Sequence, residues 1–424
     1  MHDVLIIGSG VIGMSIARHL SATHLDVAVI DRDVPGKHAS YKAGGMLGAQ
    51  NEFTEDSDLF QLAIESRAMF PQLSKSLLDE TGIDIQFKNS GLIKIANEHD
   101  DISSIKRQYQ FLNSQDRSVK QLSDDDLLQL THGEVKPSYA AIHIPHDGQI
   151  NAHHYTLALV ESMKLREIKR YESTEVTSIE RHNGYYSVKT DQSSTIEAHK
   201  IIVAGGAWSS QLLTQYHLQR QVIGVKGEVI LLENNDLSLT ETLFMTNGCY
   251  IVPKQPNRFL IGATSEFNNY SVGTTDEGMD WLLRHAYHRV PQLKDSHILK
   301  KWSGVRPYTE KEMPVMDQID DGLYVISGHY RNGILLSPII GRDIANWLLS
   351  GIKPSRYSSF KHINGDLFTF DQDQSIQEVL HSLELDPKRV IVELNKELIK
   401  QDKYEEYTVR EDDRLELLEI VGGG

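Results

Sequence analysis

The 424-residue sequence predicts an α/β architecture, a Rossmann-like nucleotide-binding front end followed by further α/β structure and a small separate domain at the C-terminus, on three observations. Val4-Leu5-Ile6-Ile7 runs directly into Gly8-Ser9-Gly10-Val11-Ile12-Gly13 and then into the helical spacing of Met14, Ile16, Ala17 and Leu20. A second apolar run, Val27-Ala28-Val29-Ile30, ends in Asp31. Residues 362–424 differ from all that precedes them, with 7 Lys and Arg against 16 Asp and Glu, more than half of the formal net charge of -16.

The first two runs read as strand, glycine turn, helix and second strand. Glycines allow the tight turn and bring backbone N–H groups up to a pyrophosphate, while the helix N-terminus supplies partial positive charge. Gly8, Gly10 and Gly13 are the turn glycines, and Asp31 is placed to accept hydrogen bonds from a ribose. An acid there disfavours a 2'-phosphate, so the nucleotide is the ADP part of FAD or NAD rather than NADP. Residues 43–49 (AGGMLGA) form a second small-residue segment, against which a bulky ring system can lie; a plain NAD domain does not require it. Residues 200–209 form a buried strand leading into Gly205, Gly206 and a helix, and residues 328–336 join the strand 323–327 to a helix at about 338–349. A helix aimed at the pyrimidine edge of a flavin stabilises the negative charge of the reduced ring. Three distant glycine sites imply one large cofactor, FAD.

Arg306 follows a strand-like run and precedes Pro307, an arrangement that holds a guanidinium at a cavity wall, where its fork matches a carboxylate. A structural salt bridge is the competing reading. Tyr250, in an alternating strand 249–253, can reach the same carboxylate or serve as a core tyrosine. The single cysteine, Cys249, cannot form an internal disulfide, which fits a reducing, cytoplasmic compartment. It reads as a buried inert thiol. The acidic balance argues against nucleic acid, because phosphate binding needs a clustered positive field. The apolar start is short and lacks a basic leader, the longest greasy stretch, 333–340, contains Pro338, and no membrane association or metal site is expected.

Ser, Gly and Pro punctuation marks residues 350–361 as a linker between an oxidoreductase module, 1–360, and a C-terminal domain, 362–424. That domain predicts strands at 367–370, 389–394 and 414–421, a helix at 375–383, and turns at Asn364-Gly365 and Asn395-Lys396, with His362-Ile363 ending a further strand. Gly422-Gly423-Gly424 then forms a thin tail able to enter a narrow groove.

Residues 1–360 resemble the D-amino acid oxidase family of flavoenzymes, and within it the glycine oxidases of thiamin biosynthesis. The resemblance is carried by residues 43–49, 249–253 (CYIVP), 303–307 (SGVRP) and 328–336 (GHYRNGILL). It implies a Rossmann-like FAD domain interleaved with an antiparallel-sheet substrate domain. Noncovalent FAD is expected around Val11, Ile12, Asp31, Arg32, Ala39, Ser40, Gly44, Gly45, Met46, Val176 and the run His329, Tyr330, Arg331, Asn332, Gly333, Ile334 and Leu335. The resemblance also implies that Arg306 grips the substrate carboxylate, that glycine and O2 react to give iminoacetate and H2O2, and that the protein is a homo-oligomer, a tetramer among relatives. Tyr41-Lys42, Gly248 and Ser265 depart from the family pattern around the pocket.

Residues 362–424 resemble the ThiS family of ubiquitin-like β-grasp sulfur carriers, through 363–366, the short helix, 390–395, 410–415 and the terminal glycines. That resemblance implies that the carboxylate ending Gly423-Gly424 is activated by a ThiF-like adenylating enzyme, becomes a thiocarboxylate and serves thiazole synthase. Two alternatives stay open: a D-amino acid or sarcosine oxidase whose β-grasp domain only docks or stabilises, and a flavin dehydrogenase that uses a quinone acceptor.

Overall fold

The computed structural model describes residues 1–216, 218, 220–360, 373–383, 385–395, 397–410, 413 and 415–419. The chain divides into two compact units, Met1–His362 and Ile363–Gly424.

The first unit is organised around the strand His2–Ile7. Val4 and Ile6 enter one apolar cluster and Leu5 and Ile7 another, so the strand is buried on both faces, as a central parallel strand must be. It pairs in parallel with Val27–Ile30 on one side and Thr195–Val203 on the other. Lys169–Tyr171 and Leu323–Ser327 extend the parallel order, and Val315–Asp320 closes it antiparallel. Helices Val11–Leu20, Asp58–Thr81, Ala152–Leu165 and Gly333–Ser350 pack with one face of this sheet through Met14, Leu62, Tyr155, Ile340 and their neighbours.

A second sheet of nine strands is interleaved in sequence with the first. Its long pair, Ile223–Glu233 with His297–Tyr308, runs antiparallel and sets Arg306 opposite Val225. Tyr250–Lys254 lies between Thr242–Met245 and Arg258–Gly262. The expected alternation along it is absent. Tyr250, Ile251, Val252 and Pro253 are all buried, because Ile251 packs into a cluster on one face and Tyr250 and Val252 into another on the opposite face.

The helix expected at about 338 begins at Gly333, with Pro338 inside it. Proline cannot donate to the carbonyl four residues back, which here is that of Ile334. The hydroxyl of Ser337 donates to that oxygen at 2.8 Å, so the apolar turn 334–337 stays helical. The stretch marked as a linker is packed as far as Phe360: Gly351 ends the helix in the left-handed conformation, Arg356 bonds Asp343 and Glu65, and Tyr357 and Phe360 are fully buried beside Trp347. Among the described residues no helix is long and apolar enough to cross a membrane, and no group of His, Cys, Asp and Glu could hold a metal ion.

In the second unit, the helix Ile376–Ser382 starts from a capping box in which Ser375 Oγ accepts from Glu378 N and Glu378 Oε2 accepts from Ser375 N. Val390–Leu394 pairs antiparallel with Glu397–Ile399 and with Leu415–Glu419. Val390, Val392 and Leu394 alternate inward onto Ile376, Val379 and Leu380, and Tyr404 Oη donates to Val390 O at 2.9 Å beneath them. The unit carries a ubiquitin-like β-grasp fold. Glu397–Ile399 and Thr408–Val409 are strands that sequence reading did not anticipate, since each is too short for a period to show. The expected strand at 367–370, the turn Asn364-Gly365 and the terminal glycines lie outside the described residues.

Phe360→Ala is expected to lower the stability of the first unit by about 3–5 kcal/mol through a large-to-small cavity, read by urea denaturation of the full chain. A variant as stable as the parent would mean that the segment is only laid on the surface.

Candidate active site

The turn after the first strand is held so tightly that only glycine fits. Gly8 has φ +107°, and a Cβ on it would stand 2.2 Å from Ala204 O. Asp31, at the end of the second strand, fixes the same turn. Its Oδ2 accepts from Ser9 N at 2.8 Å and from Ser9 Oγ at 2.7 Å, and its Oδ1 accepts from Asp33 N at 2.9 Å. Val11 N, in the first turn of its helix, donates to Ser40 Oγ at 3.0 Å, which brings residues 39–40 onto the glycine turn. Next to Asp31, the Arg32 guanidinium stacks on Trp208 at 4.0 Å from the ring centre, and His38 meets the same ring at 5.3 Å.

At the other end of the site Arg306 projects from its strand, half-buried. Nη2 donates to Thr264 O at 2.6 Å and to Ser265 Oγ at 3.0 Å, and its guanidinium lies 5.3 Å from the Tyr330 ring centre. Its Nε is buried with no partner. An unpaired guanidinium N–H away from water is costly, and a substrate carboxylate would satisfy it. Tyr250 lies alongside, and its ring occupies the space that a side chain on residue 262 would need: a Cβ on Gly262 would stand 2.3 Å from Tyr250 Cζ. Burial raises the Tyr250 phenol to about 12 against the opposing pull of Arg306, so it remains a donor at neutral pH. Burial lowers His329 to about 3, and its Nε2 also lacks a partner. His329 is therefore neutral and a poor base. Arg331 bonds Glu52 at 2.8 Å and approaches Glu312 at 3.5 Å.

These two ends belong to one cavity of about 720 Å³, within the range of cofactor sites. Gly8, Gly10, Val11, Ile12, Asp31, Arg32, Ala39, Ser40, Gly44, Gly45, Met46, Val176, Tyr250, Arg306, His329, Tyr330, Arg331, Gly333 and Ile334 all line it. Gly13, Asn332 and Leu335 do not. Gly13 packs beneath Gly8, Asn332 N donates to His329 O, and Leu335 is in the core. Gly423 and Gly424 lie outside the described residues.

The residues present fit FAD. A long cavity joins the ends of two helices, Val11–Leu20 and Gly333–Ser350, glycine main chain cradles the turn, and an unpartnered His329 Nε2 stands at the far end. Of the four residues that depart from the family pattern, Lys42, Gly248 and Ser265 line the cavity, whereas Tyr41 bonds His153. A Cβ on Gly248 would meet nothing within 4 Å. Cys249 is fully buried, its thiol pushed up to about 12 by burial, and is unreactive there. Sequence alone does not mark Trp208, Glu52 and Lys254 as site residues. A tryptophan closing a small-residue run was the signal for the first; the other two have no local signature.

The family model described as FAD dependent oxidoreductase matches residues 3–347, and that of the ThiS family matches residues 359–424. Glycine oxidase of Geobacillus kaustophilus is 37% identical over 348 residues, covering 81% of this chain and 92% of its own. The crystal structure of glycine oxidase from Geobacillus kaustophilus superposes with a TM-score of 0.82 at 36% identity, covering 86% of this chain and 99% of that chain. The bifunctional protein ThiO/ThiG of Trichormus variabilis is 29% identical over 352 residues, covering 82% of this chain and 52% of its own.

Gly262→Ala should cost about 1–3 kcal/mol through overpacking against Tyr250, seen as a lower denaturation midpoint; an unchanged midpoint would place the Tyr250 ring elsewhere. A second expectation concerns acid. Because His329 titrates at about 3 when folded and near 6.5 when unfolded, the unfolded chain binds the extra proton between those values. Stability must then fall as pH drops from about 6.5 towards 3. In FAD-free protein His329→Phe should flatten that part of the urea stability profile, and a profile of unchanged slope would refute the assignment.

Proposed function

Because the chain belongs to the FAD dependent oxidoreductase family over residues 3–347, and is an FAD-dependent amino acid oxidase by its glycine oxidase homologues, we propose that it oxidises glycine to iminoacetate with O2 reduced to H2O2. We propose further that its C-terminal unit is the sulfur carrier of the same thiazole assembly. The observation that carries the first reading is Arg306, which lines the cavity with only the neutral oxygens of Thr264 and Ser265 on Nη2 and no carboxylate partner among the described residues.

A substrate carboxylate seated on Arg306, with the Tyr250 hydroxyl as a second donor, orients the α-carbon of a small amino acid across the cavity. Such fixing of geometry is worth several kcal/mol of barrier without any proton-transfer group. His329 is neutral and Tyr250 protonated at neutral pH, so the amine has to arrive neutral or lose its proton to solvent. Noncovalently bound FAD would supply the acceptor for the hydride of the α-carbon and the route of the electron pair to O2. Asp31, Ser40 and the glycine turn hold the nucleotide end while Arg306 and Tyr250 hold the substrate.

Open space at Gly248 favours one second reading, in which an N-methyl or short side chain is accepted and the preferred substrate is sarcosine or a small D-amino acid. A panel of glycine, sarcosine and D-alanine with peroxide detection separates the two. Reduction of a quinone without peroxide would overturn both in favour of a dehydrogenase.

The ThiS family match over residues 359–424 supports the carrier reading of the second unit. Its terminal carboxylate, adenylated by a ThiF-like enzyme, would become a thiocarboxylate for thiazole synthase. Incubation with the adenylating enzyme, ATP and a sulfur donor should add the mass of one oxygen-to-sulfur exchange, and an unmodified terminus would sink this part.

Arg306→Ala should keep its FAD and lose at least about a hundredfold in kcat/KM for glycine, roughly 2.7 kcal/mol of transition-state binding. Glycine kinetics like those of the parent would remove Arg306 from its role.

A further inference from the structure

The strand Tyr250–Lys254 meets the cavity at Tyr250, and four residues on it carries a lysine in among main-chain carbonyls. Lys254 Nζ donates to Gly44 O and to Ile150 O, each at 2.8 Å. Beside those oxygens the two backbones are in direct contact. Ile150 N donates to Gly45 O at 2.8 Å, and a Cβ on Gly45 would stand 2.1 Å from Ile150 O and 3.2 Å from Lys254 Nζ. Gly44, Gly45 and Met46 form the cavity wall, and Lys254 stands directly behind them.

No carboxylate among the described residues pairs with this ammonium, and the charged group that acts on it is Lys88, another cation. A desolvated charge without a counter-ion is unfavourable, and a methionine would fill the same space without that penalty. Two carbonyls take up its hydrogen bonds but leave its charge uncompensated. That charge faces, across one layer of glycine backbone, the wall on which a flavin ring would lie.

We propose that Lys254 is a positioning residue for the oxidation: it clamps the Gly44–Gly45 wall through two carbonyls and sets an uncompensated positive charge behind it, favouring the negative charge of the reduced flavin. The proposal rests on the flavin oxidase reading above.

Burial and then Lys88 lower the ammonium to about 7, so it is charged at pH 6 and neutral at pH 9. A neutral amine keeps two N–H groups for the two carbonyls. The clamp therefore survives deprotonation while the charge does not, which makes the two roles separable by pH.

The test is the midpoint potential of the flavin in the full-length holoenzyme, at pH 6 and pH 9, for the parent, Lys254→Met, Lys254→Gln and Lys254→Arg. At pH 6 the neutral variants should lie at least about 30 mV below the parent, the tenfold shift of a two-electron couple. The gap should close by pH 9, and Lys254→Arg should follow the parent at pH 6 and exceed it at pH 9. With glycine, the neutral variants should lose kcat and keep KM, as expected for an interaction made with the reduced ring and not with the substrate. A neutral variant with the parent's potential at pH 6, or a gap that persists at pH 9, overturns the proposal. So does failure of both neutral variants to retain FAD while Lys254→Arg retains it, which would make the residue scaffold alone. Absence of FAD from the parent protein would instead refute the flavin reading itself.

Discussion

Parallel pairing of His2–Ile7 with both of its neighbours is the constraint from which the site follows. Strands that run the same way end at the same edge, and ligands in open α/β sheets gather outside that edge. Ile7, Ile30, Val203 and Ser327 are the last residues of four such strands, and the residues that come next, Gly8, Asp31, Ala204 and the run from Gly328, line or border the cavity. A single register slip in the central strand would turn Val4 and Ile6 onto the wrong cluster and move Gly8 away from Ala204. The second sheet depends on the same edge, since Arg306 and Tyr250 only matter where the first sheet leaves space between them.

The substrate end is electrostatically one-sided. Arg306 and Arg331 flank Tyr330, each 5.3 Å from its ring centre, and Arg331 is tied off by Glu52. Arg306 has only neutral oxygens for company. Tyr250 and His329 are each held in their neutral forms by burial. Among the described residues of this end, Arg306 has no carboxylate partner and neither Tyr250 nor His329 is poised as a base, which suits the binding of a small carboxylate and not the pulling of protons from carbon.

Legibility followed the range over which the physics acts. The glycine turn, Asp31 and the runs around Arg306 and His329 could be read because each combines a local backbone requirement with a side chain nearby in sequence. The β-grasp helix could be read for the same reason, its capping box lying within four residues. Glu52, Trp208 and Lys254 could not, because what makes them part of the site is contact across long stretches of chain, as between Lys254 and Gly44. The helix starts at Gly333, five residues before the start that the sequence suggests, since Pro338 has the look of a first-turn residue while Ser337 takes over the bond that it cannot make. The alternation expected at 249–253 failed because burial on both faces erases the pattern that one solvent face would leave.

The ring of Tyr250 and the absence of a side chain at Gly262 are two halves of one shape, fixed in the pairing of adjacent strands. Position 262 cannot gain a side chain while the ring of Tyr250 stays in place. Among homologous chains a side chain at the second is compatible only with a smaller residue at the first, so loss of the ring has to come before the gain. Divergence along this wall is then an ordered two-step walk, with the ring given up first and the vacated space filled from the neighbouring strand afterwards.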